Sequence, residues 1–493
     1  MALGFGTSGL RGLVSELTDR ACALYTRAFV RYLKDRGEVR GPVALAGDLR
    51  ASTPRLLRAV AWAVRQEGLE AEWCGFIPTP ALAHHAFARR QPSLMVTGSH
   101  IPDDRNGLKF HLPWGEVLKA DEAAIAQRHA ALADALERDE TQAAFFGADG
   151  SLYSDDLPSL GVPQAEAEAA YLRRYLEFFP RGCLAGRRVV VYEHSTVARD
   201  LLGRLLEALG AQVIRVGRSD RFIPVDTEAV EDPAQLAGWV QAHQADALVT
   251  ADGDGDRPLV VDERGAVVRG DVLGILVAAY LKADTVVAPV SCNTALERCD
   301  WFRRVTRTRI GSPYVIAGMQ AAPDAGARRV VGFEANGGFL LGSDVSGEVP
   351  GSTLTALPTR DAALPILAVL HAAARRALRL SQLVAGLPRR FTRSGLLRPF
   401  PTEQGQALVA RFERGGVPEV EQCFGPTFGM VKVLDFTDGA RVTFADDTVV
   451  HVRPSGNAPE FRVYTEAETE ERAAASLEQA LVRVRQVAAP AAP

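Results

Sequence analysis

Two stretches of this chain repeat one pattern, and the pattern limits the folds open to it. Residues 42–47 read as a buried strand, and a loop from Asp48 leads to a helix that runs through Gln66 with Ser52 or Thr53 as its cap. Gly68 ends that helix, and residues 69–74 return as a strand. A strand over Arg188–Tyr192, a helix over 196–209 and a strand over Gln212–Val216 repeat the order, with Gly210 and Gly217 spaced as Gly68 and Gly75 are. Strand–helix–strand units of this kind belong in sheets with parallel neighbours. A third α/β segment lies between about Asp262 and Leu380. At 493 residues the chain is too long for one ordinary core, and length alone gives about three or four domains.

Helices are also expected over residues 18–36, 119–138 and 468–487, with a long apolar helix over 361–380. Residues 381–397 read as a linker into a smaller α+β unit. The net charge of −4 offers no basic surface for nucleic acid. Six cysteines are scattered without a C-x-x-C pair, which fits free thiols in a reducing compartment and gives no zinc pattern. No basic segment followed by an apolar run opens the chain, and no apolar run is long enough to span a bilayer, so a cytoplasmic enzyme is expected.

The most chemically loaded stretch is Thr250-Ala-Asp-Gly-Asp-Gly-Asp-Arg257, directly after a short apolar run that reads as a strand. Asp252, Asp254 and Asp256 alternate with glycines, so a turning backbone can converge them on one point. Three close carboxylates repel unless a cation sits among them. Oxygen ligands point to Mg²⁺ or Ca²⁺ rather than zinc. Arg257 offers donors suited to phosphate. An EF-hand also spaces its ligands like Asp252, Asp254, Asp256 and Glu263, but its obligatory glycine is here Arg257, followed by Pro258 and a strand instead of a helix. A solvated turn is the plainer alternative.

Four further segments carry polar groups at strand ends. Phe5-Gly-Thr-Ser-Gly-Leu-Arg-Gly12 is a loop able to wrap an anion. After a strand over residues 93–97 come Gly98, Ser99 and His100, and Pro102 with Asn106-Gly107 forces a turn that returns Lys109 beside Ser99. A hydrolase elbow would need glycine where Thr97 and Ile101 stand. Glu334-Ala-Asn-Gly-Gly338 follows a strand, and its acid and amide suit vicinal hydroxyls. Arg453, Ser455, Gly456, Asn457 and Arg462 lie between two strands and can cradle a phosphate. Each has a plainer reading as a turn, a cap or a hairpin. Together they supply a serine, a cation site, a hydroxyl reader and a separate phosphate anchor, which phosphoryl transfer on a phosphorylated polyol requires.

In this order the segments resemble the α-D-phosphohexomutase superfamily, closest to its bacterial phosphomannomutase/phosphoglucomutase members, over essentially the whole chain. The resemblance implies three related α/β domains with mixed sheets plus a smaller C-terminal α+β domain around a central cleft, at residues 1–150, 151–258, 259–380 and 381–493. It implies a phosphoryl group on Ser99, with Mg²⁺ held by Asp252, Asp254, Asp256 and a phosphate oxygen on Ser99. His100, Lys109 and Arg11 would join Ser99 as catalytic groups. Arg257, Glu334, Asn336, Gly337, Arg453, Ser455, Gly456, Asn457 and Arg462 would bind a small phosphosugar. A hexose 1,6-bisphosphate would be intermediate and activator, and the protein would be a monomer or homodimer. Mannose is the first expected hexose; phosphoglucomutase, phosphoglucosamine mutase and a weakly catalytic sugar-phosphate binder are the alternatives. The chain departs from the family pattern at Gly338, where histidine is common, at Asn336 for serine, at Ile101 for asparagine, and at Asn457 and Ala458 for threonine and glutamate.

Overall fold

A computed structural model describes residues 3–6, 9–39, 41–138, 144–153, 158–455 and 459–488. Among these are three sheets that share one plan. In the first, Val43–Gly47 pairs in parallel with Ala71–Trp73 and with Ser93–Val96, and Ser93–Val96 turns back antiparallel into Arg105–Leu112. In the second, Arg188–Tyr192 pairs in parallel with Gln212–Val216 and Ala247–Ala251, and Ala247–Ala251 turns back into Pro258–Asp262. In the third, Thr285–Pro289 pairs in parallel with Arg304–Thr308 and Val330–Phe333, and Val330–Phe333 turns back into Phe339–Leu341. The expected α/β class with mixed sheets is what the chain adopts. The repeat legible in the first two units extends to the third.

The strands that carry the reactive loops are buried along their whole length, as in Ser93–Val96, Ala247–Ala251 and Val330–Phe333. Such near-continuous apolar runs mark strands covered on both faces. One apolar cluster runs from Ala44 and Met95 through Val191 and Val249 to Val286 and Phe333, so the three sheets share packing across their boundaries. The C-terminal region is different. Its five strands, from Phe391–Leu397 to Phe461–Ala467, are packed by Thr402–Phe428 and Glu470–Ala488 around a cluster of their own that includes Phe412, Phe444 and Val463.

Local chemistry explains several element ends. Asp19–Asp35 starts where the Thr18 hydroxyl accepts from the Ala21 N–H at 3.2 Å, a cap worth about 1 kcal/mol. Thr53–Gln66 starts after Ser52, yet neither candidate hydroxyl caps it. Ser52 Oγ instead accepts from Asn106, and Thr53 Oγ1 donates to Asp48 at 2.6 Å. The long helix expected over 361–380 is shorter: it spans Ala363–Arg375, because Asp361 ends the strand Leu357–Asp361 and Ala377 adopts a positive φ of 52°. The expected linker over 381–397 is structured, holding most of the helix Leu380–Ala385 and the strand Phe391–Leu397. Several helices were not anticipated, among them Thr79–Arg89, Ala165–Phe178, Pro233–Ala242, Gly270–Tyr280 and Thr402–Phe428. Thr79–Arg89 is short, with Pro80 in its first turn where proline is tolerated, and Thr402–Phe428 is interrupted at Gly416 and contains Pro418 and Pro426, interior residues that normally argue against a helix.

Candidate active site

The shared plan places three loops equivalently. Residues 97–104, 252–257 and 334–338 each join the last parallel strand of a sheet to its antiparallel neighbour. Open α/β sheets gather ligands at the carboxyl ends of such strands. These three loops meet.

In the first loop Ser99 is fully buried and sits at a φ of 56°, a left-handed conformation uncommon for a residue with a side chain. Its backbone is held from both sides. The Ser99 N–H donates to Thr97 Oγ1 at 2.7 Å, and Arg50 Nη2 donates to the Ser99 carbonyl at 3.1 Å. Arg50 uses every N–H it has: Nε reaches Asp48, Nη1 reaches the carbonyls of Pro102 and Arg105, and Nη2 those of Ser99 and Ile101. Asp48 in turn accepts from Thr97 Oγ1 at 2.7 Å and from the Gly98 N–H at 3.2 Å. Gly98 has to be glycine, since a Cβ there would lie 2.6 Å from Arg50 Cζ.

In the second loop Asp252, Asp254 and Asp256 are wholly buried, and each offers an oxygen within 4.8 Å of the others. Asp252 Oδ1 accepts from the N–H groups of Asp256 and Arg257, both at 3.1 Å. Ser99 Oγ donates to Asp252 Oδ2 at 2.5 Å. Lys109 comes back on the strand Arg105–Leu112, and its Nζ lies 2.5 Å from Asp254 Oδ2 and 2.6 Å from Asp256 Oδ2. The turn before that strand is at Pro102, whose carbonyl accepts from the Arg105 N–H at 3.1 Å; Asn106-Gly107, expected in the turn, are instead paired with Gly12 and Arg11 inside the strand. Burial, with the charges of Asp254 and Asp256, pushes the Asp252 carboxyl up to about 8. Burial would raise Asp256 as well, but Arg360, Lys109 and Arg257 outweigh it and hold the group well below the usual carboxylate range. Asp254 Oδ1 and Asp256 Oδ1 are buried with no hydrogen-bond partner among the described residues, although Arg257 Nε lies 3.7 Å from Asp256 Oδ1. Orphaned buried carboxylate oxygens of this kind fit a divalent cation with oxygen ligands.

His100 lies between Ser99 and Arg257. Its Nδ1 is 2.9 Å from Arg257 Nη1 and 3.4 Å from Ser99 Oγ. A guanidinium can only donate, so Nδ1 accepts and the neutral ring carries its proton on Nε2. Burial and the charges of Arg257 and Arg11 hold the His100 pKa well below its ordinary value, which keeps the ring neutral. Arg11, on the strand Leu10–Leu13 beside Gly107, faces the same group of charges. Burial, Arg257 and Arg360 lower its pKa to about 10, so it stays charged at neutral pH.

In the third loop Glu334 is buried and closes a tight turn: its N–H donates to the Gly338 carbonyl and its carbonyl accepts from the Gly337 N–H, both at 3.0 Å. Asn336 Oδ1 accepts from the Gly338 N–H at 2.9 Å, so the amide oxygen braces the turn itself. Gly337 holds a φ of 89°. Arg360 joins this loop to the aspartate loop, with Nε 3.0 Å from Asp256 Oδ2 and Nη1 3.2 Å from Glu334 Oε2.

The fourth segment stands apart. Arg453 and Arg462 are register partners on neighbouring antiparallel strands. Arg453 Nη1 is 3.6 Å from Asp438 Oδ2, Ser455 is buried with its N–H on the Glu460 carbonyl at 2.8 Å, and Arg462 is exposed. Neither arginine bonds to the serine–aspartate–lysine group. Gly456 and Asn457 lie outside the described residues, as do Thr7 and Ser8 of the N-terminal loop. Asp48, Arg50 and Arg360 were not picked out from the sequence. Asp48 and Arg50 had a usable signal, since they directly follow a buried strand. Arg360 had none.

Four family profiles match the chain: Phosphoglucomutase/phosphomannomutase alpha/beta/alpha domain I over residues 2–136, domain II over 171–265, domain III over 269–391 and the C-terminal domain over 403–484. The chain belongs to the phosphoglucomutase/phosphomannomutase family. A phosphomannomutase of Sinorhizobium fredii is 44% identical over 481 residues, covering 97% of this chain and 98% of the relative. A phosphomannomutase of Salmonella muenchen is 41% identical, covering 98% and 96%. A phosphoglucomutase/phosphomannomutase family protein of Burkholderia thailandensis has the same fold, with a TM-score of 0.72 at 22% identity over 99% of this chain and 98% of its own. The family uses a metal ion, and Asp252, Asp254 and Asp256 form a site for one here. Among the described residues no helix is long and apolar enough to cross a membrane.

Proposed function

We propose that this protein is a phosphohexomutase that interconverts mannose 1-phosphate and mannose 6-phosphate through a phosphorylated Ser99. The observation that carries the reading is Ser99 Oγ at 2.5 Å from Asp252, inside a buried group that also holds Asp254, Asp256 and Lys109. The full-length likeness to two phosphomannomutases supports the choice of hexose.

The reaction conserves atoms without water. The P–Oγ bond at Ser99 breaks as a P–O bond forms to the free hydroxyl of the hexose phosphate, and that hydroxyl's proton ends on Ser99 Oγ. The bisphosphate turns over in the cleft, and its other phosphoryl group returns to Ser99 with the reverse proton movement. A hexose 1,6-bisphosphate therefore also serves as activator, because it rephosphorylates a serine that has lost its group.

Charge decides which residues assist. The three aspartates already face Lys109, Arg257 and Arg360. A phosphoserine adds roughly −1.5 to −2 charges, and Mg²⁺ held by Asp252, Asp254 and Asp256 would offset them and polarise the phosphoryl oxygens. Arg11 and Lys109 present fixed positive charge to the transferring group, and neutral His100 offers an Nε2 proton donor. Arg257 orients His100. Glu334, with the turn made by Asn336 and Gly337, reads sugar hydroxyls. Arg453, Ser455, Gly456, Asn457 and Arg462 hold the phosphate that is not transferred, in either orientation of the bisphosphate. The enzyme acts in the cytoplasm, as monomer or homodimer, in keeping with six free cysteines. The domains divide near residues 150, 258 and 380.

The test is an initial rate with mannose 1-phosphate and with glucose 1-phosphate, each with Mg²⁺ and a trace of hexose 1,6-bisphosphate. Activity lost in Ser99→Ala and higher with mannose supports the reading. Higher activity with glucose reassigns the hexose, and no isomer from either sugar overturns the reading.

A further inference from the structure

We propose that Arg360 is a positioning residue that couples cation binding at the aspartate loop to hexose recognition at Glu334. The inference rests on the sugar-phosphate reading above and goes beyond it, because it assigns a link between two binding events.

The two loops come from different sheets, and one guanidinium spans them. Nε takes Asp256 Oδ2 at 3.0 Å and Nη1 takes Glu334 Oε2 at 3.2 Å. The side chain is only 2% exposed, so water does not compete for these bonds. Asp256 is divided by its neighbours: Oδ2 is held by Arg360 and by Lys109, whereas Oδ1 has no hydrogen-bond partner among the described residues and only the Arg257 guanidinium at 3.7 Å. A cation drawing on Oδ1 acts on a carboxylate whose other oxygen is tied to the sugar loop. Arg360 itself is fixed from behind. The next residue, Asp361, accepts hydrogen bonds from the hydroxyls of Tyr171 and Tyr175.

The sugar loop is shaped around this guanidinium. A Cβ at Gly338 would stand 2.4 Å from Arg360 Cδ and 2.7 Å from Cγ. The space that a side chain at position 338 would occupy is filled by the stem of Arg360. Glycine there and arginine at 360 form one device, in which the group that fixes Glu334 arrives from the strand Leu357–Asp361 instead of from the loop. An ion pair held this way moves as a unit, so a ligand that orders one end favours the arrangement the other ligand needs. Such coupling is reciprocal.

Calorimetric titration reads it directly. In a Ser99→Ala background, which prevents turnover, mannose 1-phosphate is titrated with and without saturating Mg²⁺. The expected result is that Mg²⁺ tightens sugar binding about tenfold. Arg360→Lys keeps the charge but replaces the fork with a single point that cannot serve both carboxylates, and it brings the factor to within about twofold. Gly338→Ala displaces the guanidinium without removing it and lowers the factor likewise; it decides the matter should Arg360→Lys fail to fold. General damage weakens both affinities and leaves their ratio alone, so the ratio is the readout. A ratio unchanged in the variants, or a parent ratio of one, overturns the coupling and leaves the mutase reading standing. Absence of binding by both mannose 1-phosphate and glucose 1-phosphate overturns both.

Discussion

Asp252, Asp254 and Asp256 are completely buried, and their partners come from three sheets: Ser99 and Lys109 from the first, Arg257 from their own, Arg360 from the third. Arg453 and Arg462 lie on a C-terminal hairpin with its own core. One is partly exposed beside Asp438 and the other is exposed. Both regions concentrate charge. In the aspartate loop, like charges are forced together out of water and balanced by fixed counter-charges, which is costly to build and leaves nothing to reorganise when a phosphoryl group moves. In the hairpin, like charges share a strand pair but keep contact with solvent, which costs little and would leave room for an anion in more than one pose. On the proposed reading, the contrast gives the reacting phosphoryl and the anchored phosphate different protein environments: preorganisation would serve the first and accommodation the second.

That comparison can be broken at either end. The largest effect is expected from Ser99→Ala, which should lower turnover by at least about 10⁴-fold while sugar-phosphate binding survives; rates and calorimetry on one preparation check both halves. Asp254→Asn comes next. It should weaken Mg²⁺ binding and lower the rate by about 10²- to 10³-fold, and a metal titration of the rate separates the two. If its loss is not reduced by excess Mg²⁺, the carboxylate does more than hold the cation. On the hairpin, Arg453→Ala should raise KM for either hexose phosphate by about 30- to 100-fold with a much smaller change in kcat, as expected for binding shared by ground and transition states. A fall in kcat with KM unchanged would erase the distinction between the two regions.

The smallest effect concerns stability. His451 Nε2 pairs with the Asp438 carbonyl at 2.6 Å, and burial pushes its pKa down to about 4. A folded-state value below the unfolded one near 6.5 means that the unfolded chain binds more protons between those limits. Stability is therefore retained above about pH 6.5 and lost as pH falls toward 4. His451→Gln, which keeps a donor but cannot be protonated, should recover about 1–2 kcal/mol of that acid loss near pH 5. Chemical denaturation of the parent and the variant at pH 5 and pH 7.5 measures it. Because the C-terminal core is separate, the recovery should appear in the unfolding of that region and leave the aspartate loop's cation affinity unchanged.

Much of the site was legible in the chain. Strand endings at Val96, Ala251 and Phe333 show as apolar runs that stop at glycine- and aspartate-rich segments. Pro102 marks the turn that brings Lys109 back, whereas Asn106-Gly107 belong to the strand that follows it, and Lys109 reaches Asp254 and Asp256. The amide oxygen of Asn336, a residue expected to bind hydroxyls, braces the turn, a local bond that spacing does not reveal. The helix Thr402–Phe428 was hidden by its glycines and prolines, because tertiary packing against the C-terminal sheet overrides local propensity there.

The sequence by itself determined the repeated strand–helix–strand plan, the loops at strand ends and the identity of the carboxylates, because periodicity and turn chemistry act over a few residues. The tertiary structure alone decided that Arg50 directs all five of its side-chain N–H groups to Asp48 and to the backbone carbonyls of the serine loop and of Arg105, that Asp254 and Asp256 each keep one oxygen without a hydrogen-bond partner among the described residues, and that Arg360 reaches Asp256 across 104 residues of chain. The physical reason is that these are pairings of charge in a buried space. Which charges face each other there depends on how three sheets pack, and no local pattern encodes that.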